Sequence, residues 1–351
     1  MNHRDDTVPM HIVCRIQPRR LRGWREYAVD SNSQVAGILR PEAYSSSSPV
    51  FRSYVKQATE AGRSIVLWIV TRHSGSKGQR AVFSLAAKVN VRALYESKPC
   101  QDLPARLRRY DRPWKKGTSQ KKHKRVIAEG DPGNSRFYPA CDIRECLASL
   151  DYLNVKGQRA SGHPQTVMQV DPDSIKQIED AARHVASHTV FLSYKHVDFE
   201  AGAPVLRPPW QPKALAHRLI RAGLGVWFDG LCAPQPARRD DTVPEEDLLT
   251  DEEVGLLLAE GHRQSSVVLG IDTPRYLTPG TGGVNWTLRE YDGSISNQVR
   301  GEPQQRFVLH GPNPRKLTPE PHCARSWEID VDTDLVSELG SMLGVRSQTK
   351  V

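Results

Sequence analysis

Long apolar runs are missing from this chain. Nowhere do about 18 consecutive apolar residues occur, the length a helix needs to cross a bilayer, so no membrane span is expected. The first residues, Met1-Asn2-His3-Arg4-Asp5-Asp6, are polar and hold no apolar core of the kind a secretory leader carries. Cysteine is sparse: six in 351 residues, with no Cys-x-x-Cys pair and with Cys141 and Cys146 as the closest two. A secreted disulfide scaffold would be denser, so reduced thiols in a cytoplasmic protein are expected. Zinc is disfavoured as well, because neither Cys141/Cys146 nor His322-Cys323 has a partner pair at ligand spacing. There is no Walker loop, and Gly223-Leu224-Gly225 opens a strand rather than a helix, so it is no dinucleotide fingerprint. No serine or cysteine nucleophile with a matching histidine stands out, and no internal repeat is seen.

What is present fits two globular domains. Hydrophobic residues make up 38% and charged residues 25%, a composition able to bury a core. The net charge of +9 is unevenly placed. Ten Lys/Arg and one acid, Asp111, lie between Arg106 and Arg125, with Tyr110 and Trp114 among them. Eight acids and no base lie between Asp240 and Glu253. The basic run admits two readings, a solvated loop or a cationic surface with aromatics for nucleic acid.

Residues 1–165 read as a β-rich domain. Strands are expected at His11–Ile16 and Ser64–Val70, the second a near-continuous β-branched run suited to burial on both faces. Arg80–Leu94 reads as one long strand or two joined by a bend, and a long basic loop then leads to Arg136-Phe137-Tyr138-Pro139. A short helix is expected over Ile143–Leu153. A second, over Asp173–Ala186, starts at Asp171-Pro172-Asp173 and lies in a linker spanning 166–187. With its strand–Trp–strand core and the Arg136–Pro139 segment, this half resembles PUA-like barrels of the EVE kind. That resemblance implies a pocket for a nucleic-acid base or modified nucleotide, with Trp24, Trp68, Trp114 and Tyr138 as candidates for a stacking cage. A plain oligomerisation platform is the rival reading, and core packing is the alternative for each aromatic, Trp68 above all.

Residues 188–351 alternate strands and helices. Strands are expected at Val190–Tyr194, Gly223–Phe228, Ser266–Ile271, Arg306–His310 and Trp327–Val331. Helices are expected at Pro212–Ala222, Glu245–Gly261, from about Asn285, and at Asp334–Leu343. Such alternation implies a parallel sheet wrapped by helices, with ligands at the carboxyl ends of the strands.

Five landmarks occur in order here. They are Phe191-Leu192-Ser193-Tyr194-Lys195-His196, Leu215-Ala216-His217-Arg218-Leu219, Gly225-Val226-Trp227-Phe228-Asp229, the segment from Gly261 to Leu269, and Trp286-Thr287-Leu288-Arg289-Glu290. This ordered set resembles the Toll/interleukin-1 receptor (TIR) family, specifically its NAD⁺-cleaving members. The resemblance implies a flavodoxin-like α/β fold, NAD⁺ as substrate with no cofactor or metal, self-association of the domain, and Glu290 as the catalytic carboxylate. In these respects a bacterial-type immune effector is expected. Proline-rich insertions at Phe199–Pro212 and Asp229–Pro244 depart from the family pattern, the second where its assembly loop sits.

The chemistry explains why one carboxylate suffices. Most glycosidases need a second carboxyl group to protonate the leaving oxygen. The nicotinamide of NAD⁺ is already cationic and leaves as a neutral amine. The site must only stabilise the sugar cation that develops, and an ionised Glu beside the ribose does so. Glu290 lies four residues after Trp286, on one helix face, and a position at a helix start would favour its charge. At the strand tips, Tyr194, Lys195 and His196 are candidates to hold the diphosphate, with Phe228 and Asp229 beside them and Trp286 as a neighbour. Phe228 is equally open to core packing, Trp227, inside a strand, is expected in the core, and His262 is expected on the surface. A non-catalytic adaptor and a deoxyribosyl-transfer enzyme are the competing functions.

Overall fold

The computed structural model describes residues 8–16, 27–28, 38–39, 41–73, 81–96, 103–107, 110, 125–149, 167–195, 212–228, 251–278, 286–301, 304–310, 323–328 and 332–345. These form two large sheets and a separate two-stranded one, and the two large sheets are joined through Ala140, Gln264 and a shared apolar cluster.

The first sheet contains β1 (Met10–Ile16), β4 (Ala43–Ser46), β5 (Ile65–His73), β6 (Val82–Glu96), β7 (Val126–Gly130) and β9 (Val167–Val170), in the order β4-β7-β6-β5-β1-β9. The two-residue β8 (Arg136–Phe137) pairs with β6, while β2 (Tyr27–Ala28) and β3 (Ile38–Leu39) pair only with each other. β1 and β5 run parallel and the other ladders are antiparallel. The long apolar run at 65–70 is central because both its faces are covered. Helix α1 (Pro49–Glu60) was not expected. Its start is nonetheless written in the chain: Ser48 accepts a hydrogen bond from the Phe51 amide at 3.4 Å, and Pro49 opens the first turn. Phe51, Val55 and Ala58 then bury one face.

After the short helix α2 (Arg144–Ser149), residues 166–187 carry β9 and α3 (Pro172–Ser187), both packed on the first sheet. Asp171 caps α3, accepting from the Ser174 amide at 2.9 Å. Ile178, Ala182 and Val185 of α3 bury against Val13, Trp68, Leu85 and Tyr138. Trp68 is fully buried, and its indole donates to His11 Nδ1 at 3.0 Å. Tyr138 is 2% exposed, with its hydroxyl engaged by Arg136 Nε at 2.6 Å. Neither ring is presented to a base, so these two cage candidates are corrected to core residues. Trp24 and Trp114 lie outside the described residues. Tyr110, read as part of a basic surface, is also buried, and its hydroxyl donates to Glu42 Oε2 at 3.0 Å. Arg108, Arg109 and residues 111–124 of the basic run lie outside the described residues.

The second sheet is entirely parallel, in the order β11 (Gly225–Trp227), β10 (Thr189–Ser193), β12 (Val267–Asp272), β13 (Gln305–His310) and β14 (Cys323–Glu328). All five residues of β10 are buried, as a central strand of a covered parallel sheet requires. The helices are α4 (Pro212–Arg221), α5 (Asp251–Gln264), α6 (Trp286–Tyr291), α7 (Ser294–Arg300) and α8 (Asp332–Met342). The α/β architecture with a parallel sheet in this half is as expected. The helix expected from about Asn285 is two short ones, α6 and α7, separated by Asp292-Gly293, where Gly293 takes φ 82°.

The two sheets meet at Ala140. Its amide donates to the Val226 carbonyl at 2.9 Å and its carbonyl accepts from the Val226 amide at 2.8 Å, so it pairs along the outer edge of β11. Gln264, ending α5, donates to the Phe137 carbonyl at 3.0 Å. One apolar cluster runs through both halves, from Ile12 and Leu67 to Leu192 and Leu269.

Gly261 sets how closely α5 approaches the second sheet. A Cβ there would collide with the Trp227 and Phe191 rings. Replacing a helix-interior glycine by alanine ordinarily stabilises by about 0.5–1 kcal/mol. Here overpacking reverses the sign, and Gly261→Ala is expected to cost about 1–3 kcal/mol, measured as a lower urea midpoint with an unchanged slope.

Candidate active site

Register places Ser193, Asp272 and His310 at the carboxyl end of the second sheet. Ser193 ends β10 and pairs with Gly270 of β12, which pairs with Val308 of β13. Paired residues of neighbouring strands, and residues two apart on one strand, share a sheet face. Ser193, Gly270, Val308, Asp272 and His310 therefore all belong to one face. The order 11-10-12 reverses direction at β10, so the space between the tips of β10 and β12 is the crevice where open α/β sheets take ligands.

Helix α6 packs against the tip of β10 at this point. Thr287, Glu290 and Tyr291 form its buried side, while Leu288 is exposed. Thr287 Oγ1 donates to the Tyr276 carbonyl, which ties α6 to the loop following β12. Tyr276 and Tyr291 meet edge to face at 6.3 Å and pack on Val308. Gly270 has no side chain because the Tyr276 hydroxyl occupies that space: a Cβ would sit 2.9 Å from it.

At the centre of this packing is Glu290, 4% exposed. Ser193 Oγ donates a short hydrogen bond to Glu290 Oε2 and lies 2.6 Å from the Tyr276 hydroxyl. Serine has one proton to give and a carboxylate only accepts. The chain of donors therefore runs from Tyr276 to Ser193 to Glu290. Burial, and next the charge of Glu290, push the Tyr276 phenol well above its ordinary value, so it stays protonated and remains the donor. A buried carboxylate needs such partners to replace lost hydration.

This arrangement corrects one expectation. Glu290 is the fifth of six residues in α6, not at a helix start. The dipole of its helix therefore does not favour the charge; the hydroxyl of a neighbouring strand tip holds it.

The other candidates fall around this centre. Tyr194 and Phe228, just past the ends of β10 and β11, pack on each other at 5.4 Å, and Phe228 is 4% exposed within the apolar core. Lys195 Nζ donates to the Thr278 carbonyl at 2.6 Å, securing the far end of the loop that carries Tyr276. Trp286 opens α6. His196 and Asp229 lie outside the described residues. Trp227 is core, 1% exposed.

His262 is not on the surface, contrary to expectation. It is fully buried, stacked on Phe191 at 4.1 Å, with Nδ1 2.9 Å from Gln304 Oε1. Gln304 Nε2 donates to the His262 carbonyl at 3.0 Å, so one side chain closes the end of α5. The residues that sequence reasoning missed are Ser193 as a partner, Tyr276, and the pair Asp272–His310, whose Oδ2 and Nδ1 are 3.0 Å apart. Tyr276 is 14 positions from Glu290 with no periodic signal between them; only the crossing of strand and loop unites them.

No protein-family model matches the chain, no curated protein matches it in sequence, and no solved structure matches its fold. Among the described residues, no helix is long and apolar enough to cross a membrane.

Burial lowers the His262 pKa to about 4 from an ordinary 6.5. Between those values the unfolded chain takes up a proton that the folded one refuses, so stability is full above pH 6.5 and falls as pH drops towards 4. This group alone should remove on the order of 1 kcal/mol by pH 5.5. Urea midpoints at pH 7 and pH 5.5 should differ less in His262→Gln than in wild type.

Proposed function

We propose that residues 188–351 form a TIR-like module of flavodoxin-like fold that cleaves the nicotinamide–ribose bond of NAD⁺. The observation that carries this reading is the buried Glu290 carboxylate, held by Ser193 at the tip of β10, where the strand order turns. The strand order itself, 2-1-3-4-5 in this half, is that of flavodoxin-like sheets.

The proposed mechanism asks little of the residues. Nicotinamide leaves with the electron pair of its C–N bond and needs no proton. Positive charge grows on the ribose C1′ and ring oxygen. Glu290 offsets it through a short distance in a dry site, where electrostatic effects are strong. Ser193 fixes the carboxylate's orientation before substrate arrives, so little reorganisation is needed. Water then completes the glycoside cleavage to ADP-ribose, or the adenine closes a ring.

The first half is proposed to be the responsive element of an immune effector, taking a nucleic acid or a modified nucleotide. Support for its influence on the site is the Ala140–Val226 pairing, since Val226 lies two residues before Phe228, which packs on Tyr194 beside Ser193. Self-association through the TIR-like half, as the resemblance implies, belongs to the same proposal.

The test is product analysis after incubating the full chain with NAD⁺, over a range of protein concentrations and with and without nucleic acid. Wild type is expected to release nicotinamide. Glu290→Ala and Glu290→Gln should each lose about 10²-fold or more. Ser193→Ala should lose about tenfold or more, because a hydrogen bond to a charged group contributes about 1.5–3 kcal/mol. Cleavage of deoxynucleosides but not NAD⁺ would instead identify a deoxyribosyl-transfer enzyme. No turnover of either, at any concentration, would leave a binding adaptor and remove the enzymatic reading.

A further inference from the structure

A second polar pair stands on the same face of the sheet. Asp272 ends β12, His310 ends β13, and the two are partners in the parallel ladder. Asp272 is fully buried, while the His310 side chain keeps 18% exposure. His310 Nδ1 and Asp272 Oδ2 are 3.0 Å apart. A carboxylate only accepts, so Nδ1 is the donor, and in the neutral imidazole Nε2 is left with its lone pair. This is the arrangement by which a carboxylate turns a histidine into an oriented base: it fixes the tautomer and stabilises the imidazolium once formed.

Its position relates it to the carboxylate. From Ser193, the pair Asp272–His310 lies one and two strands across and two residues further towards the tips. At about 4.8 Å per strand and about 3.3 Å per residue, the backbone of His310 is roughly 12 Å from that of Ser193. A group of this type would be surplus for expelling nicotinamide, which needs no proton. Its use lies in the other half of the reaction.

We propose that His310 is the proton acceptor for the hydroxyl nucleophile that replaces nicotinamide, with Asp272 as its positioning residue. This inference rests on the NAD⁺ reading above and extends it. The nucleophile's oxygen forms a bond to C1′ with its own lone pair. The C1′–N bond breaks, and its electrons neutralise the pyridinium ring. The nucleophile's proton passes to His310 Nε2 and then to solvent, so hydrolysis yields ADP-ribose, nicotinamide and one proton. A simple tie between two strand ends is the alternative role for the pair, and the chemistry separates the two.

A free pyridine base attacks C1′ through a ring nitrogen that has no proton to lose. It therefore reports the site's ability to expel nicotinamide without the proton-accepting step. The full-length protein would be given NAD⁺ with and without a substituted pyridine, and both hydrolysis and base exchange followed. His310→Gln and Asp272→Asn are expected to lower hydrolysis by about 10²-fold while base exchange stays within a few-fold of wild type. Retained exchange also reports that the variants are folded. Hydrolysis unchanged, or hydrolysis and exchange falling together, would overturn the role of His310 and leave the Glu290 reading standing. A wild-type protein that neither hydrolyses nor exchanges would overturn that reading and this inference with it.

Discussion

The second half of this protein is organised around one hydroxyl. Ser193 ends an inner strand of a covered parallel sheet, and its single proton is committed to Glu290. Tyr276, buried and kept protonated, supplies the proton that Ser193 accepts in turn. Each member is costly to bury alone and tolerable only with the others. The surrounding geometry follows from this need. Gly270 must lack a side chain because Tyr276 stands there. Thr287 and Lys195 donate to the carbonyls of Tyr276 and Thr278 and so anchor the loop that brings the phenol.

The same constraint explains why α6 can be short. A six-residue helix contributes little by its own hydrogen bonds, since nucleation consumes most of what propagation returns. Here Thr287, Glu290 and Tyr291 are held by contacts to the sheet and to Tyr276. The helix is a consequence of the packing around the carboxylate rather than its scaffold. That also accounts for Glu290 standing near the end of the helix, where the dipole gives it no help.

Readability in the sequence followed the range of the interactions involved. The buried strands at 65–70, 189–193 and 267–272 were visible because a covered strand leaves a continuous apolar run. The start of α3 was visible because a cap is a local signal, and Asp171-Pro172 carries it. Helix α1 carried the same kind of signal at Ser48-Pro49 but stood inside a serine-rich stretch that reads as loop. Glu290 was reachable through an ordered set of landmarks. Its partners were not, because Ser193 is 97 residues away and Tyr276 is brought in by a loop. His262 failed for a related reason. Its burial depends on Phe191 and Gln304, the latter 42 residues distant, and no local pattern distinguishes it from a surface histidine.

The joint between the halves carries the argument to the whole molecule. An unpaired strand edge invites pairing with another chain, and β11 would present one. Ala140 occupies it from within, at the end of a segment whose preceding residues pair with β6. Phe137 is paired to Ala87 on one side, and its carbonyl is held by Gln264 on the other. The segment from β8 to Ala140 therefore holds hydrogen bonds to β6, to β11 and to the end of α5. β11 and α5 lead directly to Phe228 against Tyr194, and to His262 against Phe191 on β10. β10 is the strand that presents Ser193. A continuous set of backbone pairs and close-packed rings thus joins the first half to the strand that presents Ser193.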